Sequence, residues 1–368
     1  MQKNIYYLSY ILLLVISYQT VKPQEIKQIS YGSGPIRSMT KLDNGKIIGG
    51  RSSGHQIEVW SSENQGLSWT RIGTVASDSE IDYGDIMMLS IPKTNIVFCA
   101  FREHNKANEF AVVVCRSDNS GIDWIYDSTV IAGQKLFVGA PWLFLALNGD
   151  LQCYYDSEPL GNANGSPGSQ WIAMQGKNGI KGDWNKYGIV EASRDSNRNK
   201  FIRDGMASVI DLGNNRIMVV TEGIEDDLSG GKYANVVRAI QSFDGGKTWD
   251  YYGRRIVYQS GLDESSKRRY NAYCPMGIRI GGGPVGVFFC TDEDFGGLPD
   301  ESNADVVKRR THVKFVRTLD NFETWGDLKS FWTDGKQAYA PGMIEIKSNE
   351  VLVSIDHFSG NERYLIYK

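Results

Sequence analysis

Short apolar arms separated by polar turns, rather than long amphipathic stretches, carry the hydrophobic positions of this chain. The segment Ala140 to Glu158, APWLFLALNGDLQCYYDSE, reads as two strands around a tight turn. Asn148-Gly149 marks the turn, because both central residues take positive φ there and Asn and Gly tolerate it. The second arm ends in a carboxylate, Glu158. Asp204 to Glu222, DGMASVIDLGNNRIMVVTE, repeats the plan and ends in Glu222. The two hairpins thus read as delivering a glutamate to one structural position. Further copies cover Ser38 to Arg51, Asp85 to Glu103, Cys274 to Asp294 and Ala340 to His357. The turns fall near residues 45, 95, 149, 215, 282 and 349, a period of 50 to 67 residues. Each interval leaves room for two more strands. A repeat of this length built from short strands predicts an all-β protein, a six-bladed β-propeller with four-stranded blades.

A second repeat supports this reading. Ser242 to Trp249, SFDGGKTW, fits the pattern S-x-D-x-G-x-T-W. Ser62 to Trp69, Ser117 to Trp124 and Thr318 to Trp325 are looser copies, and Lys181 to Trp184 is a worn one. They resemble the Asp-box of sialidase-type propellers. The Asp or Asn bonds local amides, Gly takes the positive φ and Trp plugs the gap between sheets, so the role is structural. The last unit lacks one strand, which Glu25 to Tyr31 is expected to supply, covering an exposed edge.

If the hairpin turns share one face, the strand ends that flank them share the other. Glu158, Arg102, Glu103, Glu222, Glu293, Asp294 and His357 fall on that second face, together with the candidate substrate contacts Arg37, Arg51, Tyr155, Arg203, Asp204, Tyr273 and Asp292. A charged strand end taken alone is usually just solvated. Two carboxylates on neighbouring blades are a different matter, because one can protonate a glycosidic oxygen while the other attacks the anomeric carbon or activates water.

Composition narrows the partners. The 368 residues carry a formal net charge of -3. This argues against a nucleic-acid partner, which calls for a basic excess. Five cysteines without a CxxC, and four scattered histidines, predict neither a metal site nor a cofactor. Lys3 and the apolar run from Ile5 to Ser17 read as a secretory signal peptide over residues 1–23, too short for a spanning helix. Residues 24–368 are expected to form one domain of an extracellular monomer. Export permits disulfides, and Cys274 with Cys290 and Cys99 with Cys115 are placed to face each other across hairpins.

The segments GAPWLFLALNGDLQCYYDSE (Gly139 to Glu158), SQWIAM (Ser169 to Met174), ASRD (Ala192 to Asp195), RDGM (Arg203 to Met206), VVTEG (Val219 to Gly223) and TDED (Thr291 to Asp294) give the chain a family likeness. It resembles the exo-acting α-1,5-L-arabinanases of glycoside hydrolase family 93, within the sialidase-like superfamily. The resemblance implies a six-bladed propeller that takes linear arabinan from its non-reducing end, releases arabinobiose and retains configuration. Glu158 would then match the acid/base, Glu222 the nucleophile and Tyr339 an active-site tyrosine. A sialidase is the alternative, which needs three arginines gripping a carboxylate; Arg37 resembles the first of them. A non-catalytic glycan-binding propeller is the other.

Overall fold

The computed structural model describes residues 26–32, 34–35, 37–163, 165–193, 201–224, 235–264, 269–295, 311–332, 339–356 and 362–367. Residues 1–23, expected to be a signal peptide, and His357 lie outside the described residues. Strand β1 (Ile26–Gly32) comes first. The first meander follows as β2 (Met39–Lys41), β3 (Ile47–Ser52), β4 (Gln56–Ser62) and β5 (Thr70–Ser77). The second is β6 (Ile81–Ser90), β7 (Val97–Asn105), β8 (Phe110–Ser117) and β9 (Ile125–Gln134). The third is β10 (Val138–Leu145), β11 (Leu151–Ser157), the short helix α1 (Glu158–Ala163), β12 (Gly165–Lys177) and β13 (Lys186–Glu191). The fourth is β14 (Phe201–Gly213), β15 (Arg216–Ile224), β16 (Asn235–Ser242) and β17 (Arg255–Tyr258). The fifth is β18 (Ala272–Arg279), β19 (Val285–Thr291), β20 (His312–Thr318) and β21 (Trp325–Trp332). The sixth is β22 (Tyr339–Lys347), β23 (Glu350–Asp356) and β24 (Glu362–Tyr367).

Within every meander successive strands pair antiparallel. The expected loan from the N-terminus is present: β1 pairs with β24, from Ile26 opposite Tyr367 to Gly32 opposite Glu362. One departure concerns the third and fourth meanders. Parallel pairing of Gln170 with Arg203 joins β12 to β14, so the two form one eight-stranded sheet. Both strands run 13 residues, long enough to overshoot their own meanders and meet. The first strand of each meander packs on that of the next, and β22 packs on β2.

Burial explains the apolar arms. Strands β11 and β19 are buried at every position, whereas the outer strands β5 and β9 keep exposed positions. A strand covered on both faces needs a continuous apolar run, not alternation. The arms legible in the sequence are therefore the inner strands.

The turns at 148–149 differ in detail from expectation. Gly149 has φ 85°, but Asn148 is not in the positive region. The Gly149 amide donates to Ala146 O (2.8 Å) and the Ala146 amide to Asp150 O (2.9 Å). This is a three-residue loop, a type I turn closed by a left-handed glycine. Leu42 to Lys46 repeats it at Gly45. The double positive φ occurs instead at Asn214 and Asn215.

All five cysteines are buried reduced thiols. Cys99 does stand opposite Cys115. Cys290 stands opposite Tyr273 rather than Cys274, because a bulge shifts the register of β18.

The Asp-box repeats are turns between the third and fourth strands of their meanders. In the best copy, Asp244 Oδ1 accepts from the amides of Lys247 (3.0 Å) and Thr248 (2.9 Å), while Oδ2 accepts from Thr248 Oγ1 (2.6 Å). Ser242 Oγ takes the Gly246 amide at 2.9 Å. Asn64, Asn119 and Asp320 do the same work in the other copies. Trp249 meets Tyr154 edge to face, with ring centroids 5.9 Å apart. The worn copy keeps its place between β12 and β13, and Trp184 Nε1 donates to Ser128 Oγ (2.9 Å). Burial pushes the Asp244 carboxyl up, but these donors together hold it below the ordinary range. A depressed folded-state pKa gives stability that is full above the unfolded value and fades as pH falls through the folded one. Asp244→Ala is expected to lower unfolding free energy by about 1–2 kcal/mol at neutral pH. Urea unfolding at pH 7 and pH 3 checks it, and the difference between variant and parent should shrink at the lower pH.

Candidate active site

One irregularity recurs in the first strands. Register shifts fall between Gly84 and Met87, Gly139 and Trp142, Gly205 and Ser208, Tyr273 and Met276, and Tyr339 and Gly342. At these bulges Asp85, Ala140, Met206 and Cys274 have φ between 44° and 55°, and Arg37 has φ 57° just ahead of β2. Non-glycine residues avoid this region, so each instance stores strain and turns its amide off the ladder. Sequence reading missed the bulges. The signal was there in Pro141, Pro275 and Pro341, because proline inside a strand marks a bulge.

The bulges define which residues are equivalent. Across them Gly139 stands opposite Asp156 and Gly205 opposite Glu222. Asp156, not Glu158, is therefore the counterpart of Glu222. Glu158 lies two residues further on, past the end of β11, at the first turn of α1. It is half-buried, its carboxyl accepts from the Phe137 amide at 3.3 Å, and its own amide donates to Phe137 O at 3.0 Å.

Glu222 is almost fully buried. One oxygen accepts from the Cys274 bulge amide at 2.7 Å, and the other is ion-paired with Arg203 Nη1 at 2.6 Å. From the first meander Arg37 donates to Pro275 O at 3.3 Å, beside that same bulge. Arg37, Arg203, Glu222, Cys274 and Pro275 thus form a single cluster drawn from three meanders. Charge-assisted bonds of this kind are about twice as strong as neutral ones, and they fix the carboxylate in one orientation.

Asp156 sits next to this cluster, 1% exposed. It accepts from the Met206 bulge amide (3.0 Å) and from Gln170 Nε2 (3.0 Å). Burial pushes its carboxyl well above the ordinary range; Arg203 and the Met206 amide oppose this, and Glu222 and Asp85 add to it. Asp85 itself is held by Arg102 Nε at 3.1 Å, and Arg102 also bonds Asp82 at 3.0 Å.

Behind Glu222 lies a buried ion cluster. Arg238, 1% exposed, pairs with Asp204 and with Glu191 (3.5 Å), and Arg254 reaches Glu191 at 3.1 Å. Ser193 gives Asp204 its amide (2.6 Å) and hydroxyl (2.7 Å), and Thr221 bonds Glu191 at 2.7 Å. Burial pushes Asp204 up to about 6 despite Arg238. Two arginines and two acids balance, which a buried charge requires.

The geometry places three of the expected substrate contacts among buried side chains. Asp204 is fully buried in the ion cluster, Tyr155 is 1% exposed in the core, and Tyr273 is 5% exposed in the same core. Neighbours along a strand point to opposite faces. Asp204 follows Arg203, Tyr155 precedes Asp156 and Tyr273 precedes the Cys274 bulge, so each lies on the core side. Asp292 is tied down elsewhere, accepting from the Asn271 amide (2.8 Å) and side chain (3.2 Å). Arg51 stands half-buried at the end of β3. Tyr339 opens β22 opposite Asp356, and its side chain lies outside the described residues. Glu293 and Asp294 hold Lys314, which pairs with Asp294 at 2.8 Å.

No family model matches the sequence, and no curated protein matches it. Solved structures do share its fold. A family 93 α-L-arabinofuranosidase of Fusarium graminearum, solved with arabinobiose, aligns with TM-score 0.64 at 15% identity over 93% of this chain and 98% of that one. The microbial sialidase Hz136 aligns with TM-score 0.57 at 14% identity over 92% of this chain and 65% of that one. An α-L-arabinofuranosidase from Lactobacillus brevis aligns with TM-score 0.52 at 14% identity over 80% and 93%. The chain has the all-β fold of these glycosidases.

The cluster leaves no room at Gly205. A Cβ there would lie 2.6 Å from Gln170 Nε2, 3.1 Å from Arg203 Nη2 and 3.2 Å from Asp156 Oδ2. Gly205→Ala is expected to destabilise by about 1–3 kcal/mol, the usual range for overpacking. The turn variant Gly283→Ala, whose Cβ meets only a carbonyl at 3.4 Å, should change stability by under about 0.5 kcal/mol. Urea midpoints of the two variants make the comparison.

Proposed function

We propose that this protein is a secreted exo-acting glycoside hydrolase that cleaves α-1,5-linked arabinan from the non-reducing end, releasing arabinobiose with retention of configuration. The observation that carries the reading is Glu222, an ion-paired and amide-seated carboxylate at a strand end, on a fold shared with an arabinofuranosidase solved with arabinobiose. In this reading the six meanders close into a six-bladed propeller. The contacts from each first strand to the next, and from β22 back to β2, support closure. The signal peptide over residues 1–23 directs export, and the enzyme acts as a monomer.

Glu222 has the features of a nucleophile: a fixed orientation and an ionic partner. Glu158 has those of an acid/base: it is half-buried, and its carboxyl meets a backbone amide but no cation among the described residues. In the first step Glu158 gives a proton to the leaving oxygen while Glu222 attacks the anomeric carbon. In the second, Glu158 takes a proton from water, which displaces Glu222. Retention requires the two carboxyls about 5–5.5 Å apart across the sugar. Arg37 and Arg203 line the approach, and Tyr339 belongs to the same rim. A sialidase is the second reading, favoured by Arg37 reaching the Cys274–Pro275 bulge beside Glu222.

Linear arabinan and a sialyl-lactose, offered side by side with product analysis, separate the two readings. Arabinobiose as the first product supports the proposal, and free sialic acid overturns it. Glu222→Gln and Glu158→Gln are each expected to lower hydrolysis by about 10³-fold or more with an unchanged circular-dichroism spectrum. A parent-like rate in either variant removes that residue from its role.

A further inference from the structure

We infer that Asp156 is a positioning residue that shares Arg203 with Glu222, so that the arginine's hold on the Glu222 carboxylate depends on the charge at Asp156. The inference rests on the reading of Glu222 as the attacking group.

Asp156 and Glu222 occupy equivalent positions on adjoining meanders, each opposite the glycine that precedes or faces a first-strand bulge. Each accepts the strained bulge amide of the next meander, Met206 for one and Cys274 for the other. Arg203, on β14, acts on both: it is ion-paired with Glu222 and its charge favours the ionised form of Asp156. It is paired with Glu222 at 2.6 Å, and its Nη2 and Asp156 Oδ2 both come within 3.2 Å of one point beside Gly205. A buried carboxylate is an expensive way to hold an amide that a neutral serine or asparagine could hold. The equivalent position in the second meander is occupied by Arg102 and in the fifth by Cys290, so the bulge does not itself require an acid.

The groups that act most strongly on Asp156 come from the strands around it. Arg203 and the Met206 amide come from β14, Gln170 from β12, Glu222 from β15 and Asp85 from β6, the last neutralised by Arg102 of β7. Arg203 is the cation among them that both acids can use. When Asp156 is ionised it draws on Arg203 and weakens the ion pair to Glu222, which raises the reactivity of that carboxylate while the Cys274 amide keeps its orientation. When Asp156 is protonated, Arg203 belongs to Glu222 alone. Burial drives Asp156 toward the protonated form, so this exchange falls above the ordinary carboxylate range.

The test uses the full-length protein labelled with ¹⁵N-arginine, with the Arg203 Nε signal assigned by its loss in Arg203→Lys and followed against pH without substrate. The parent is expected to show an inflexion above the ordinary carboxylate range. Asp156→Asn, a near-isosteric change, should abolish it. Glu222→Gln should keep it and move it to lower pH, because the Glu222 charge opposes ionisation of Asp156. An inflexion that survives Asp156→Asn overturns the proposal. Should that variant fail to fold, the ¹³C carboxyl titration of Asp156 in Arg203→Gln decides. It must move to higher pH, and an unmoved titration overturns the proposal. In the kinetic arm, Asp156→Asn on linear arabinan should lower kcat by about tenfold with KM within about threefold. A parent that hydrolyses no arabinan while the Arg203 signal behaves as described would defeat the proposed substrate and leave the role of Asp156 standing.

Discussion

A carboxylate at the end of one sheet holding the strained amide of the next is the contact on which the site depends. Backbone in the left-handed region at a non-glycine residue costs on the order of 1–3 kcal/mol and persists only where its surroundings over-determine it. Met206 and Cys274 meet that condition because Asp156 and Glu222 accept their amides. The same two bonds tie the third meander to the fourth and the fourth to the fifth. The seam between sheets and the seat of the reactive carboxylate are therefore one structure. A change that relaxed the strain would also release the acid.

The surroundings of Glu222 follow from this. On one side Arg203 is shared; on the other, Arg238, Asp204 and Glu191, fully buried, and the half-buried Arg254 form a charge-balanced block. The absence of a side chain at Gly223 lets the Arg238 guanidinium lie against the backbone next to Glu222. Such a block adds little net stability relative to an apolar filling, but breaking one member leaves a bare buried charge. Its effect is to stiffen the wall behind the carboxylate, and a rigid support is what a reacting group needs.

The parts of this protein written in local sequence were readable. The hairpins follow from apolar arms flanking turn residues, and the Asp-box turns from a side chain that bonds amides three or four residues away. The closing strand was legible as a shortage in the last repeat. What failed was register. Counting to the last acid of each arm matched Glu158 with Glu222, whereas pairing across the bulges matches Asp156 with Glu222. A two-residue slip keeps the side chain on the same face, so the hydrophobic pattern cannot reveal it. Tyr155 and Asp204 each stand one residue from a member of the cluster, and one residue along a strand sends a side chain to the opposite face. The joining of β12 to β14 was invisible for another reason, since parallel pairing between distant segments leaves no periodic mark.

The pairing of β1 with β24 has a consequence for how the chain is made. Strand β1, residues 26–32, completes a sheet whose other three strands come from residues 339–367. Until β24 has been made, β1 has no partner and the sixth meander has no outer strand. The contact spans more than three hundred residues, and so long a loop closes slowly. An incomplete chain therefore presents an open strand edge that pairs readily with another molecule. A ribosome stalled before β24 would leave a sticky product, and the making of β24 decides whether the earlier strand finds its own chain or a neighbour's.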